Sequence, residues 1–155
     1  SGERFSGGLA VIESAARSLG LDFRLHDTRT REDFDKAFTA IIGARAQAVV
    51  AFATAATFRE SQRIIEFANR SRLPSAFQVK EHVEAGGLFS YGPDLAGTIR
   101  QSVSYVDRIL RGARPADLPV ELPSVYELAI NQQTAKALGF AIPQSVLLRA
   151  DRVIE

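Results

Sequence analysis

Gln47-Ala-Val-Val-Ala-Phe-Ala53 is a short, almost wholly apolar run, and its surroundings decide the fold. A run of this kind is typical of a parallel strand buried on both faces. Before it, Phe34, Ala37, Phe38, Ile41 and Ile42 recur at three- and four-residue spacing behind Thr30 and Asp33, which predicts an amphipathic helix. After it, Thr57-Phe58-Arg59-Glu60 has capping-box spacing, and Phe58, Ser61, Ile64, Ile65 and Ala68 form the inward face of a second helix. Leu73–Val79 is strand-like again, with Pro74 near its start. Strands separated by amphipathic helices at this spacing imply a parallel sheet covered on both faces.

The alternation continues outward in both directions. Leu9, Ile12, Ala15, Ala16 and Leu19 repeat at helical spacing, with Gly20 where a C-cap falls. Leu21, Phe23 and Leu25 then alternate with Asp22, Arg24 and His26, the pattern of a strand with one wetter face. Downstream, Val83–Ala85 reads as a helical turn stopped by Gly86-Gly87, and Leu88–Tyr91 as a short strand. Asp94 caps the longest helix, whose stripe is Leu95, Ile99, Val103, Val106, Ile109 and Leu110, closed by Gly112. The proline-rich segment 114–123 is a connector. Val125–Asn131 is a last strand, followed by a helix to Leu138, Gly139 as its C-cap, and a final turn led by Pro143. The expected fold is α/β, a three-layer sandwich with a mainly parallel sheet. Residues 1–92 form its α/β domain, and residues 93–155 supply a crossover helix, the connector and a returning strand and helix.

The 155 residues are 46% hydrophobic and 24% charged, with 11 glycines and no cysteine, methionine or tryptophan. Surface scaling gives a folded chain of this length roughly 7,700 Å² of exposed area against roughly 24,500 Å² unfolded, so about two thirds of its surface is expected to be buried in one core. The apolar content excludes disorder, and the Gly and Cys counts exclude collagen-like and disulfide-rich scaffolds. Nineteen basic residues against 18 acidic leave a net charge of +1, which argues against a nucleic-acid partner. No apolar run approaches a membrane span, and the start has no signal-peptide pattern. Without cysteine, thiolate metal sites and cysteine nucleophiles are excluded.

In open parallel sheets, ligands sit beyond the carboxyl ends of the strands. Those ends are His26–Thr28, Thr54–Phe58, Gln78–Lys80 and Ser90–Gly92. They offer the hydroxyls of Thr54, Thr57 and Ser90, the amide of Gln78 and the rings of Phe58 and Tyr91, a set suited to holding a small polar or carboxylated molecule. Each has a plainer role: Thr57 as a helix N-cap, Thr54 as a strand end, Tyr91 as an edge aromatic. Asp27 is the one acid at a strand end and also reads as a turn residue. His26 falls on the polar alternation and His82 among Lys80, Glu81 and Glu84, so both read as solvated. There is no G-x-S-x-G elbow, Walker loop, G-x-G-x-x-G or H-E-x-x-H. No catalytic residue, metal ligand or cofactor is expected.

Three segments carry a family resemblance: GGLFSYGPD (Gly86–Asp94), YVDRILRGARPADLPVELP (Tyr105–Pro123) and ELAINQQTAKALGFAIPQSVLLRADRVIE (Glu127–Glu155). With the layout of ARSLGLDFRLHDTRTREDFDKAF upstream, the chain resembles the C-terminal half of the ABC-transporter substrate-binding proteins of the tryptophan-binding-like, periplasmic-binding-protein type I group. The resemblance implies a two-lobed periplasmic or extracytoplasmic receptor that closes on a small solute and delivers it to an ABC permease. It places Ser90 and Tyr91 in the matching segment, and Thr54, Thr57, Phe58 and Gln78 in the variable part where specificity is set. An amino acid or an aromatic or apolar compound is the expected solute, with Phe58 and Tyr91 as its sandwich.

Members of that group are longer, so the chain reads as a fragment, lacking a central strand ahead of the helix at Leu9. Either a late strand (Val125–Asn131 or Pro119–Leu122) or a second copy, as a homodimer, is expected to fill that gap. A type I sensory domain is the second reading. An α/β enzyme and a purely structural interaction domain follow it.

Overall fold

A computed structural model describes residues 3–155, with side chains from residue 8; the first two residues of the 1–92 segment lie outside it. Eight helices and five strands follow one another as α1 (Glu3–Ser18), α2 (Arg31–Gly43), β1 (Val49–Val50), α3 (Ala55–Arg59), α4 (Ser61–Arg70), β2 (Ser75–Phe77), α5 (Lys80–Glu84), β3 (Phe89–Pro93), α6 (Leu95–Leu110), β4 (Tyr126–Asn131), α7 (Gln132–Leu138), α8 (Gln144–Leu147) and β5 (Arg152–Ile154) among the described residues. A 3₁₀ turn, Pro115–Asp117, interrupts the connector. The fold is mixed α/β with one mainly parallel sheet of order β1-β2-β3-β4-β5, in which only β3 and β4 pair antiparallel. That sheet runs through both the 1–92 and the 93–155 segments.

The local signals act where the residues put them. Thr30 caps α2: its hydroxyl accepts from the Asp33 N–H, and the Asp33 carboxylate accepts from the Thr30 N–H at 2.8 Å. Gly20 and Gly139 take left-handed φ values of 68° and 83° at helix ends, a conformation that costs a Cβ-bearing residue about 1–2 kcal/mol. The apolar stripe of α4 buries Ile64, Ile65 and Ala68. Ile64 and Ile65 join Phe34 of α2 and Phe77 of β2 in the core, with Phe38, Ala51 and Ala56 packed against it. Burying each such side chain contributes roughly 1.5–3 kcal/mol. Phe38 stacks on Phe67 at 4.2 Å between centroids, and the Arg63 guanidinium covers the Phe38 ring while pairing with Asp35 and Glu60.

Several expectations are corrected. The run at 47–53 forms only the two-residue edge strand β1, with Val50 52% exposed, so it is not buried on both faces. Leu21–Leu25 forms no strand; a strand exists through its ladder, and no described strand pairs with this segment, leaving Leu21 and Leu25 exposed. The late strand does not stand beside that segment: β4 pairs with β3 on the far side of the sheet, and Val120 and Leu122 are exposed outside any strand. The last three-residue strand, β5, escapes the sequence pattern altogether. The stripe of α6 faces solvent, with all six of its residues 39–82% exposed. Accordingly the chain exposes 10,759 Å², well above the area expected of a fully packed domain of its length.

Candidate functional site

Residues that pair across neighbouring strands point to the same face of a sheet. Phe77, Ser90 and Ala129 therefore share one face, and Phe77 meets the α4 side chains Ile64 and Ile65 there. Val50, Ala76, Phe89 and Ile130 share the other, and alternation adds Tyr91 to it.

At the carboxyl ends of β1, β2 and β3 the loops converge. The Gln78 side chain reaches back to the loop after β1, its Oε1 accepting from the Ala53 N–H at 2.6 Å, so its amide NH₂ is the donor left to the loop. Gly92 of β3 lies directly against the Gln78 backbone just after β2: a Cβ built on it would stand 1.9 Å from the Gln78 carbonyl oxygen. The absent side chain is what allows the two backbones to meet.

Thr54, not Thr57, is the N-cap residue of α3. Its hydroxyl accepts from the Thr57 N–H at 3.1 Å, and the Thr57 hydroxyl accepts from the Thr54 N–H at 2.8 Å. The Thr57 hydroxyl also donates to the Phe52 carbonyl at 2.6 Å. Spacing alone favoured Thr57–Glu60 as the box; in the fold, Glu60 pairs with Arg63 instead. The pair of threonines thus locks the turn that follows β1 and orients the α3 amides beyond the strand end.

Ser90 and Tyr91 sit within β3, which extends to Pro93, opposite Ala129 and Leu128. Ser90 is 1% exposed on the helix-covered face, whereas Tyr91 is 61% exposed on the other and stacks on Tyr126 at 5.9 Å. Phe58 belongs to the Phe77 side, 5.0 Å from His82. The two rings expected to sandwich a solute therefore have different neighbours on opposite faces of the sheet. Tyr126, missed at the sequence level, is brought to Tyr91 by the β3–β4 register.

His82 is the second correction of consequence. It is 6% exposed, wedged between Phe58 and Phe77, and its Nδ1 has no hydrogen-bond partner. Of its charged neighbours in sequence, Glu81 and Glu84 lie on the outer side of a one-turn helix and Lys80 turns to Glu127, a periodicity too short to read reliably. Burial pushes its pKa below the usual 6.5, with Glu81 opposing weakly. An imidazole of depressed pKa binds its proton more readily when unfolded, so stability is complete above about pH 6.5 and declines as pH falls below it. Urea midpoints at about pH 7.5 and about pH 5 are expected to differ less in His82→Gln than in the wild type. An equal difference in the two proteins would remove His82 as a source of acid sensitivity.

A surface depression of about 430 Å³ lies along α2 at Asp35 and Lys36, away from the strand ends. A second cleft, of about 250 Å³, opens at the start of α6 beside Asp94, Gly97 and Ser124. Among the described residues no cluster of three or more His, Asp or Glu is placed to hold a metal, and no helix is long and apolar enough to cross a membrane.

The family model for the ABC transporter substrate binding protein matches residues 10–154. No curated protein matches the sequence. A conserved domain protein from Vibrio cholerae O1 biovar El Tor superposes with a TM-score of 0.86 at 26% identity, over 95% of this chain and 49% of its own. An ABC domain from Streptococcus pneumoniae in complex with L-Trp gives 0.86 at 25% identity, over 99% and 52%. The ligand-free, open form of a substrate binding protein with adhesive properties from Clostridium difficile shares the fold, at TM-score 0.64 and 16% identity. The chain spans about half the length of each of these structures. With a family model covering nearly its whole length and a sheet whose strand-end loops converge, the chain belongs to the ABC transporter substrate-binding protein family.

Proposed function

We propose that the chain is the solute-binding half of a two-lobed receptor of an ABC-type uptake system, binding without chemistry and handing its solute to a membrane permease from a periplasmic or extracytoplasmic location. The observation that carries this reading is the convergence of the β1, β2 and β3 ends, where Gln78 and Gly92 bring three loops together in a chain of this family. Coverage of about half of each similar structure supports the fragment reading, with residues 1–92 presenting the loops and residues 93–155 leaving the sheet and returning to it. The edge of β1, which no strand among the described residues pairs, is where a second copy would add, as a homodimer.

The ligand residues in this reading are Thr54, Thr57, Phe58, Gln78, Ser90 and Tyr91. Phe58 and Tyr91 present exposed rings, Gln78 an amide, the threonines an ordered turn, and Ser90 support from the buried side. A small amino acid or an aromatic or apolar compound fits that inventory, and the S. pneumoniae relative with bound L-Trp makes L-tryptophan the first probe.

Native mass spectrometry of the chain, as purified and after adding an amino-acid pool, tests this. A discrete adduct of small-molecule mass is expected, and Tyr91→Ala is expected to weaken it by roughly 1–2 kcal/mol. A folded chain that takes up nothing from the pool would mean that this half does not bind by itself and that the other lobe of the proposed receptor supplies much of the affinity. Unchanged affinity in a folded Tyr91→Ala would remove the ring from the site. The same spectra report whether the chain is a monomer or a dimer.

A further inference from the structure

Lys80 opens α5, where a cation faces the positive end of the helix and is locally disfavoured. Its partners lie far along the chain. The ammonium is 2.8 Å from Glu127 Oε2 and 3.9 Å from Asp94 Oδ1, and all three side chains are partly buried. Asp94 occupies the N-cap of α6 yet makes no capping bond, although capping is the usual use of an aspartate there. Its carboxylate instead lies between Lys80 and Arg100, the latter at 3.7 Å, with Oδ1 lacking any hydrogen-bond donor. Glu127 faces Gly92 across the β3–β4 ladder, and the Asp94 N–H donates to the Val125 carbonyl at 3.0 Å. The segments through which the chain leaves the sheet for α6 and re-enters it into β4 are thus zipped together, and Lys80 reaches both of them from the loop that carries Gln78.

We propose that Lys80 is a positioning residue of the solute site: held between Asp94 and Glu127, its ammonium ties the Gln78 loop to the paired segments by which α6 and the connector leave the sheet. The proposal deepens the solute-binding reading and rests on it for its purpose. Movement of α6 relative to the sheet is then felt at the strand-end loops, two residues from the amide that faces the solute. The pairing also raises the Lys80 pKa, chiefly through the Glu127 hydrogen bond, so the ammonium stays charged across the physiological range.

Amide hydrogen exchange on the whole chain tests the clamp without any ligand. The reporters are the Ala53 N–H, bonded to Gln78, and the Asp94 N–H, bonded to Val125; the Asn131 N–H, bonded to Leu88 inside the sheet, is the control. In Lys80→Met, exchange at Ala53 and Asp94 is expected to speed up by on the order of tenfold while Asn131 is unchanged, with Lys80→Arg restoring the wild-type rates. Glu127→Gln, which keeps the side-chain shape, is expected to move the same two amides in the same direction. Unchanged exchange at both reporters, or an equal rise at all three amides, would overturn the proposal, the second because it marks a loss of global stability alone. L-Tryptophan titrations of the same proteins read the solute-binding function separately: a clamp seen by exchange with no tryptophan binding in any variant counts against tryptophan binding by this half alone, not against the clamp.

Discussion

Gly92→Ala is expected to be among the most destabilising single substitutions in the chain, lowering unfolding free energy by on the order of 3–5 kcal/mol in urea titrations. The added methyl would lie 1.9 Å from the Gln78 carbonyl oxygen and 2.8 Å from its carbon. Both are backbone atoms, so no side chain can rotate away. Either β3 separates from the end of β2, or the 78–80 loop moves and takes with it the Ala53–Gln78 hydrogen bond and the Lys80 ion pairs. A domain has only about 5–15 kcal/mol to lose, so partial unfolding at ambient temperature is the expected appearance. Gly97→Ala is the control. Its methyl would crowd Asp94 Oδ2, but that is a side-chain atom on the Arg100 side of the carboxylate, and with Arg100 exposed the two can shift together, so the cost is expected below about 1 kcal/mol. Equal midpoints for Gly92→Ala and wild type would mean that the close approach at the strand ends does not exist in solution.

The second large effect is expected at Phe77. Its ring, 3% exposed, joins the Phe34, Ile64 and Ile65 cluster and also closes over His82 at 5.1 Å between centroids. Phe77→Ala removes that packing and leaves a cavity that β2 cannot collapse, because the strand is held by ladders on both sides; about 3–5 kcal/mol is the expected loss. Phe77→Leu keeps most of the volume and is expected to cost less than about 1.5 kcal/mol. Denaturant midpoints with unchanged slopes are the measurement. A loss in Phe77→Ala no larger than in Phe77→Leu would mean the cluster is not the centre of the core.

Much of this molecule was legible residue by residue, because the determinants of a helix lie within one or two turns. The Thr30–Asp33 box, the α4 stripe and the glycines at 20 and 139 act through neighbours three or four positions away. The contiguous segments 86–94, 105–123 and 127–155 likewise carry the family, since a family signature survives as local order of residues. The strand-end loops were located from the same alternation, and their amide and hydroxyl residues were named from it.

What the sequence could not supply was the identity of each residue's distant neighbour. The pattern of 47–53 says that the strand is apolar, not whether anything pairs on its outer edge, and β1 proves to be an edge. The α6 stripe says that something should cover it, not that it stands exposed in this chain. Thr54 and Thr57 both fit a cap, and the turn geometry chose Thr54. His82 sits among charges in sequence but between Phe58 and Phe77 in space, and Lys80 meets Glu127 and Asp94 only because the antiparallel β3–β4 register brings them back to the end of β2. The sequence by itself determined most of the elements, their order and the family. The tertiary structure alone decided the pairing, the burial of His82 and the convergence at Gln78, because ladders, packing and ion pairs depend on the residues that arrive from elsewhere in the chain.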